Sequence, residues 1–392
     1  MAITTPEFSI RRYKKRFAVD LSDWHLTLSI PEIKTSICFV GDHCPISDAA
    51  FFDAPIDGNL IGNIECVISD GSKSGSKAYP IFLKSSCYET IASHHFTALN
   101  LANNHVYDAG PSAFDKMVEG LREAIPNVQF YGLSETPCAE ITLDKKKIAI
   151  IGCLEKCRSR GPRLFKEENV AKLIKGIRKE LDYIFVTPHW GKEGEYAFHP
   201  SPRQRQLARA WISSGADGVF GHHPHTIHGY EEVQGKPVFY SLGNFLFNHE
   251  ESRKYPLTTL GLAVKYEIEN RGSWQHRFFI QDGLSINDID GRTLNQANAF
   301  LGKISSHISG NSWAKKDWAK KVGPIYIRKS AASWKIRFKR GRFYKVFPLW
   351  FVWFLLPVNL VLRWGSIREP AEMMVEAKYL DSMLPQIDTF RS

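Results

Sequence analysis

Paired cysteines and internal repeats are both missing from this 392-residue chain. Its seven cysteines are odd in number and include no CxxC pair. Cys153 and Cys157, four apart, are too weak a signal for a zinc knuckle, and no disulfide framework is expected. Free thiols suit a reducing compartment. The opening MAITTPEFSIRRYKKRF is basic with no apolar run behind it, so a secretory signal is not expected and a cytoplasmic location is. Evenly spread positive charge is missing too. Residues 311–345 hold twelve Lys or Arg and a single acid, a local +11 out of a net +10, which leaves about −1 for the rest. That argues against a protein that coats nucleic acid, and no nucleic-acid partner is expected; it favours a local anionic partner instead.

What is present alternates. Short apolar runs at 37–40, 98–102, 147–151, 183–187, 218–220 and 238–242 are separated by helical stretches, the pattern of an α/β layer fold. Pro111 suits a first helical turn, and Phe114, Met117, Val118, Leu121 and Ile125 follow at helical spacing until Pro126. Val170, Leu173, Ile174 and Ile177 mark a second helix. A third opens at Ser201-Pro202 and stops at Gly215. DGSKSGSK (70–77) reads as a polar loop. We expect a lead-in over 1–33, a catalytic-type domain over 34–282, a basic extension over 283–345, a hydrophobic segment over 346–364 and a tail over 365–392.

VFPLWFVWFLLPVNLVL (346–362) is at the short end for a bilayer span and is interrupted by Pro348 and Pro357. Trp350, Trp353 and Trp364 are of the type favoured at a lipid interface. The basic run before it would gain roughly 1 kcal/mol per Lys or Arg near an anionic leaflet. An interfacial or re-entrant anchor through 311–364 at the inner face of the membrane is expected; a hairpin packed on the body or on a partner is the alternative.

Six apolar runs end on metal-type side chains: ICFVGD (Asp42), IGNIE (Glu65), ALNLANNH (Asn104, His105), FVTPHWG (His189), GVFGHHPH (His223, His225) and VFYSLGNF (Asn244). Asp, Glu, Asn and His are oxygen and nitrogen ligands for divalent ions such as Mn, Fe or Zn. Strands that stop on such residues bring them to the carboxyl edge of a sheet, where distant positions converge. Taken alone, Asp42 reads better as a helix cap, and only beside the other five strand ends as a ligand; Asp108 can also cap the next helix. Beside His105, however, Asp108 can orient the ring and raise its pKa, suiting a general acid. Two ions about 4 Å apart clamp a phosphate and acidify a shared water, which suits hydrolysis of phosphate esters.

Between 36 and 247 these motifs resemble the poly-γ-glutamate capsule biosynthesis family (CapA type) of the calcineurin-like metallophosphatase superfamily. GD (41–42), GNIE (62–65), LANNHVYDAG (101–110), HWGKE (189–193), GADGVFGHHPHTIHG (215–229) and KPVFYSLGNFLF (236–247) carry the resemblance, in the family's order. It implies a four-layer αββα sandwich of two mixed sheets. It also implies a first ion on Asp42 and His225, Glu65 as bridging carboxylate, and a second ion on Asn104, His189 and His223. His105 with Asp108 would be the acid pair, and Asn63, Glu193 and Asn244 would meet substrate. One departure stands out: the superfamily carries D-x-H at the first strand, and here Cys44 stands at the histidine's place, with His43 one position early. The resemblance implies a metal-dependent phosphoesterase in capsule or exopolymer assembly, acting on an anionic polymer or phosphorylated envelope intermediate. A non-catalytic scaffold of a polymer synthase is the alternative, and a metal-dependent nuclease ranks below both.

Overall fold

A computed structural model describes residues 35–45, 56, 58–70, 80–155, 161, 163–247, 249–269, 272–282, 285–309, 317–319, 321–323, 325 and 371–384. In chain order its strands begin with β1 (Ser36–Cys44), β2 (Asn59–Ile64), β3 (Val67–Ile68), β4 (Phe82–Leu83), β5 (Phe96–Asn100) and β6 (Gln129–Tyr131). They continue with β7 (Cys138–Leu143), β8 (Lys146–Leu154), β9 (Tyr183–His189), β10 (Gly218–Phe220), β11 (Tyr230–Val233) and β12 (Lys236–Phe239). The last four are β13 (Asn244–Phe247), β14 (Leu260–Glu267), β15 (Trp274–Asp282) and β16 (Ser285–Asp288). The helices are α1 (Cys87–Ser93), α2 (Pro111–Ala124), α3 (Val170–Ile177), α4 (Pro202–Ser213), α5 (Glu250–Arg253), α6 (Gly291–Ile308) and α7 (Ala371–Met383).

Two mixed sheets form. One runs β16-β15-β14-β1-β2-β5-β6, with β13 also paired to β1; the other runs β11-β12-β10-β9-β8-β7. The first is antiparallel from β16 to β1 and parallel from β1 to β6; the second has a parallel centre and antiparallel margins. Side-chain alternation along these strands makes the layers. Ile37 and Phe39 of β1, Ile148 and Ile150 of β8 and Phe185 of β9 enter one core between the sheets. Phe39 and Phe220 stack there at 3.9 Å and 13°. Cys38 and Val40 point the other way, into an outer core with Phe114, Met117 and Leu121 of α2. Ile184 and Val186 face a third core with Ile174 of α3 and Trp211 of α4. Helix, sheet, sheet, helix is the four-layer order.

The three expected helices form at α2, α3 and α4. A capping box starts α4: Ser201 Oγ accepts the Gln204 N–H and Gln204 Oε1 accepts the Ser201 N–H. Packing continues through β16 into α6, whose Ala297, Phe300, Leu301 and Ile304 enter the inter-sheet core. That apolar stripe was hidden because Asn, Ser and Lys occupy the helix's other face. The loop at 71–77 and the hydrophobic segment 346–364 lie outside the described residues. Among the described residues no helix is long and apolar enough to cross a membrane.

Candidate metal centre

Close backbone approach builds the site. A Cβ on Gly41 would sit 2.0 Å from the Gly243 carbonyl oxygen, so only glycine lets the end of β1 lie this near the entry to β13. The Asp42 N–H then donates to that carbonyl at 3.1 Å, and Asp42 faces Asn244 in register. A Cβ on Gly221 would meet the Tyr240 carbonyl at 2.1 Å, so the turn carrying His222, His223 and His225 is equally close. His223 and His225 have φ of 97° and 59°, in the left-handed region that side chains other than glycine seldom occupy. Such strain persists where surrounding structure over-determines it, and it clusters at functional sites.

Glu65 lies just past β2 and is fully buried. His189 Nε2 is 3.3 Å from its Oε1, His223 Nδ1 3.7 Å and His105 Nε2 3.9 Å; His225 Nε2 is 3.7 Å from Oε2. Neither Glu65 oxygen has a donor in hydrogen-bonding geometry, nor has either ring nitrogen of His223 an acceptor. A buried carboxylate is costly unless it is paired, and the imidazoles around this one make no hydrogen bond in good geometry, which leaves the cluster suited to a cation. Two atoms each about 2.1 Å from one cation stand roughly 3.0–3.5 Å apart, close to the separations seen here. Ligand atoms of Glu65, His223 and His225 all lie within 4.8 Å of one another, as do those of Asp42, Glu65 and His189. The donor set fits a divalent ion.

Electrostatics agree. Burial pushes the Glu65 carboxyl upward, but the His225 and His189 imidazoles outweigh it and hold the group well below the usual carboxylate range. Burial lowers His189 to about 4, so its ring is neutral at physiological pH, the form that binds metal.

The expected residues converge, with some regrouping. Asp42 and His189 neighbour Glu65 in one group and His223 and His225 in another, and His225 Nδ1 also lies 3.7 Å from Asp42 Oδ2, so Asp42 and His225 stand together as expected. The Asn104 amide oxygen lies 2.6 Å from His189 Nε2. Asp108 is no helix cap: Gly110 occupies the N-cap of α2 without a side-chain bond. Its Oδ2 instead sits 2.6 Å from His105 Nδ1 and accepts the Ile81 N–H at 2.9 Å. Asn63 and Asn244, expected against substrate, are fully buried behind the ligands. Asn63 Nδ2 donates to Asp42 Oδ1 at 2.8 Å, and Asn244 Oδ1 is 3.0 Å from His225 Nδ1. The side chain of Glu193 lies outside the described residues.

Four residues went unnoticed in the sequence. Asn103 braces the 103–106 turn, its Oδ1 accepting the N–H of His105 and of Val106 while its Nδ2 donates to the Ile64 carbonyl. His222 Nδ1 stands 3.3 Å from Asp42 Oδ1, and Glu195 Oε2 is 3.6 Å from His223 Nε2. Tyr196 stacks near His225, with centroids 5.5 Å apart. The doubled Asn103-Asn104 and His222-His223 could have signalled the first two; Glu195 and Tyr196 gave no signal.

The first strand supplies Asp42 alone. Cys44 is buried in the outer core, where burial and a hydrogen bond with Cys66 push its thiol up, away from the thiolate a metal needs. His43 turns outward as well, with Nε2 3.2 Å from His94 Nδ1.

Residues 57–249 match the profile of the family described as bacterial capsule synthesis protein PGA_cap. The capsule biosynthesis protein CapA of Bacillus anthracis is 26% identical over 283 residues, covering 65% of this chain and 66% of that protein. The PGA biosynthesis protein CapA of Bacillus subtilis (strain 168) is 30% identical over 235 residues, covering 55% and 58%. The chain thus spans less than two thirds of either relative, 66% of one and 58% of the other. Among solved structures, a novel phosphatase from Mycoplasma pneumoniae aligns with a TM-score of 0.40 and 11% identity, over 68% of this chain and 98% of that one.

Proposed function

From the premise that residues 57–249 form a domain of the bacterial capsule synthesis family, we propose that this chain is a divalent-metal-dependent phosphoesterase-like hydrolase serving capsule or exopolymer assembly. One observation carries the reading: the fully buried Glu65 carboxylate, unpaired by hydrogen bonds, among four imidazoles at 3.3–3.9 Å. Asp42, Glu65, His189, His223 and His225 would hold one or two ions of the Mn, Fe or Zn type, with Asn104 beside His189. A divalent cation supplies Lewis-acid charge to a phosphoryl oxygen and makes water acidic.

The chain's own residues do the rest. His105, held through Nδ1 by Asp108, presents Nε2 toward Glu65 and donates a proton to the leaving oxygen. Asn63 and Asn244 keep Asp42 and His225 in place. The substrate is a phosphorylated or polyanionic envelope intermediate, met at the cytoplasmic face of the membrane with the basic and aromatic stretch 311–364 as contact. Polymer synthase subunits are the expected partners; the names of the two Bacillus relatives, capsule and PGA biosynthesis proteins, support that setting.

A second reading, a scaffold without turnover, is favoured by the outward-facing Cys44 and His43, which leave the first strand with a single carboxylate for an ion. Elemental analysis of purified protein, paired with hydrolysis of an aryl phosphate in Mn, separates the two. The enzyme reading expects bound metal and turnover that His189→Ala removes while the fold remains. Bound metal with no turnover on mono- and diester substrates would leave the scaffold.

A further inference from the structure

The last described helix, α7, lies 124 residues beyond the site wall in sequence yet is bonded to it. Ala377, Leu380 and Leu384 enter the inter-sheet core beside Leu257 and Leu260. Asp381 Oδ1 accepts the Leu257 N–H at 2.7 Å. Leu257 has φ of 62°, a left-handed conformation costly for a bulky side chain, and it persists where surrounding structure holds it.

The bond fixes a turn that reaches the metal centre. Thr258, the next residue, donates from Oγ1 to the carbonyls of Ser252 and Tyr255 at 3.0 and 3.1 Å. Its own carbonyl accepts Asn244 Nδ2 at 2.8 Å. That donation sets which way the Asn244 amide faces, so its Oδ1 must be the atom 3.0 Å from His225 Nδ1. An oxygen there requires the proton on Nδ1 and leaves the Nε2 lone pair free, 3.7 Å from Glu65 Oε2. A second path runs through Tyr255, stacked on Tyr196 at 3.9 Å and 4°, and Tyr196 in turn stacked beside His225.

We infer that Asp381 is a positioning residue of the metal centre, acting through the Leu257–Thr258 turn and Asn244 to fix the tautomer and direction of the His225 ring. The carboxyl-terminal helix is thus part of the site, and its docking and ion binding reinforce each other. This rests on reading the cluster as a metal centre.

The test uses the full chain and Mn alone as probe, with affinity read by calorimetry and the His225 tautomer by nitrogen chemical shifts. Asp381→Ala should weaken Mn binding by about tenfold, the lower end for loss of an outer partner of a ligand, and should mix the His225 tautomers. Asp381→Asn, whose amide carbonyl can accept the same N–H, should restore both. Should Asp381→Ala fail to fold, Thr258→Ala loosens the same turn, and a similar loss is expected. Unchanged Mn affinity and tautomer in Asp381→Ala or, failing that, Thr258→Ala overturn the inference while the metal centre stands. A parent chain that binds no Mn removes the metal centre and the inference with it.

Discussion

Asp108 holds His105 at 2.6 Å through Nδ1, and the same carboxylate oxygen anchors the Ile81 N–H. A carboxylate there stabilises the protonated ring, while the Ile81 bond locks the carboxylate's direction. Asp108→Asn keeps an acceptor for Ile81 but removes the charge. Turnover should fall by about 10²–10⁴, the range for general acid–base groups, with metal content retained. The basic limb of the pH–rate profile should also move to lower pH. A profile that stays in place would show that His105 is not the acid.

Metal removal should loosen the fold, because without a cation Glu65 is a buried carboxylate with no hydrogen bond. Thermal unfolding after chelation, then with graded Mn, should show a midpoint that climbs with ion concentration. A hundredfold excess over the dissociation constant is worth about 2.7 kcal/mol. Glu65→Gln should abolish the climb; a midpoint indifferent to metal would refute the fit of this donor set.

Acid should destabilise the protein through its buried neutral histidines. Burial lowers His94 to about 4 and His228 to about 3, against about 6.5 in an unfolded chain. Between these values the unfolded state binds more protons than the folded one. The stability from these neutral rings is complete above pH 6.5 and is lost as pH falls toward 4, by about 1.4 kcal/mol per pH unit for each ring. Urea midpoints at pH 7, 6 and 5 read the slope; a flat profile contradicts it.

Gly41→Ala should be among the most damaging single changes. Its Cβ would meet the Gly243 carbonyl oxygen at 2.0 Å, a backbone atom that cannot step aside without shifting β13 and Asn244. A loss above about 3 kcal/mol is expected, in the overpacking range and beyond, together with weaker metal binding. Denaturant unfolding and metal analysis of one sample measure both, and an unperturbed variant would mean the strands are further apart.

Much of this was legible in one dimension, because periodicity and chemistry are local. The apolar runs of β1, β8 and β9 and the helical spacing of α2, α3 and α4 follow from which side chains flank which. Ligand-type residues closing those runs single out Asp42, Glu65, His189, His223 and His225 in the sequence itself. The apolar stripe of α6 stayed hidden, because its polar face dominates the composition there.

Sequence alone determined which side chains were available to bind a cation, since donor chemistry belongs to the residue. Tertiary structure decided what each one faces. Asn63 and Asn244 went behind the ligands, Cys44 turned into the outer core, and Asp381 crossed 124 residues to reach Leu257. Direction depends on strand twist, backbone conformation and packing between layers, and those are set only when distant segments meet.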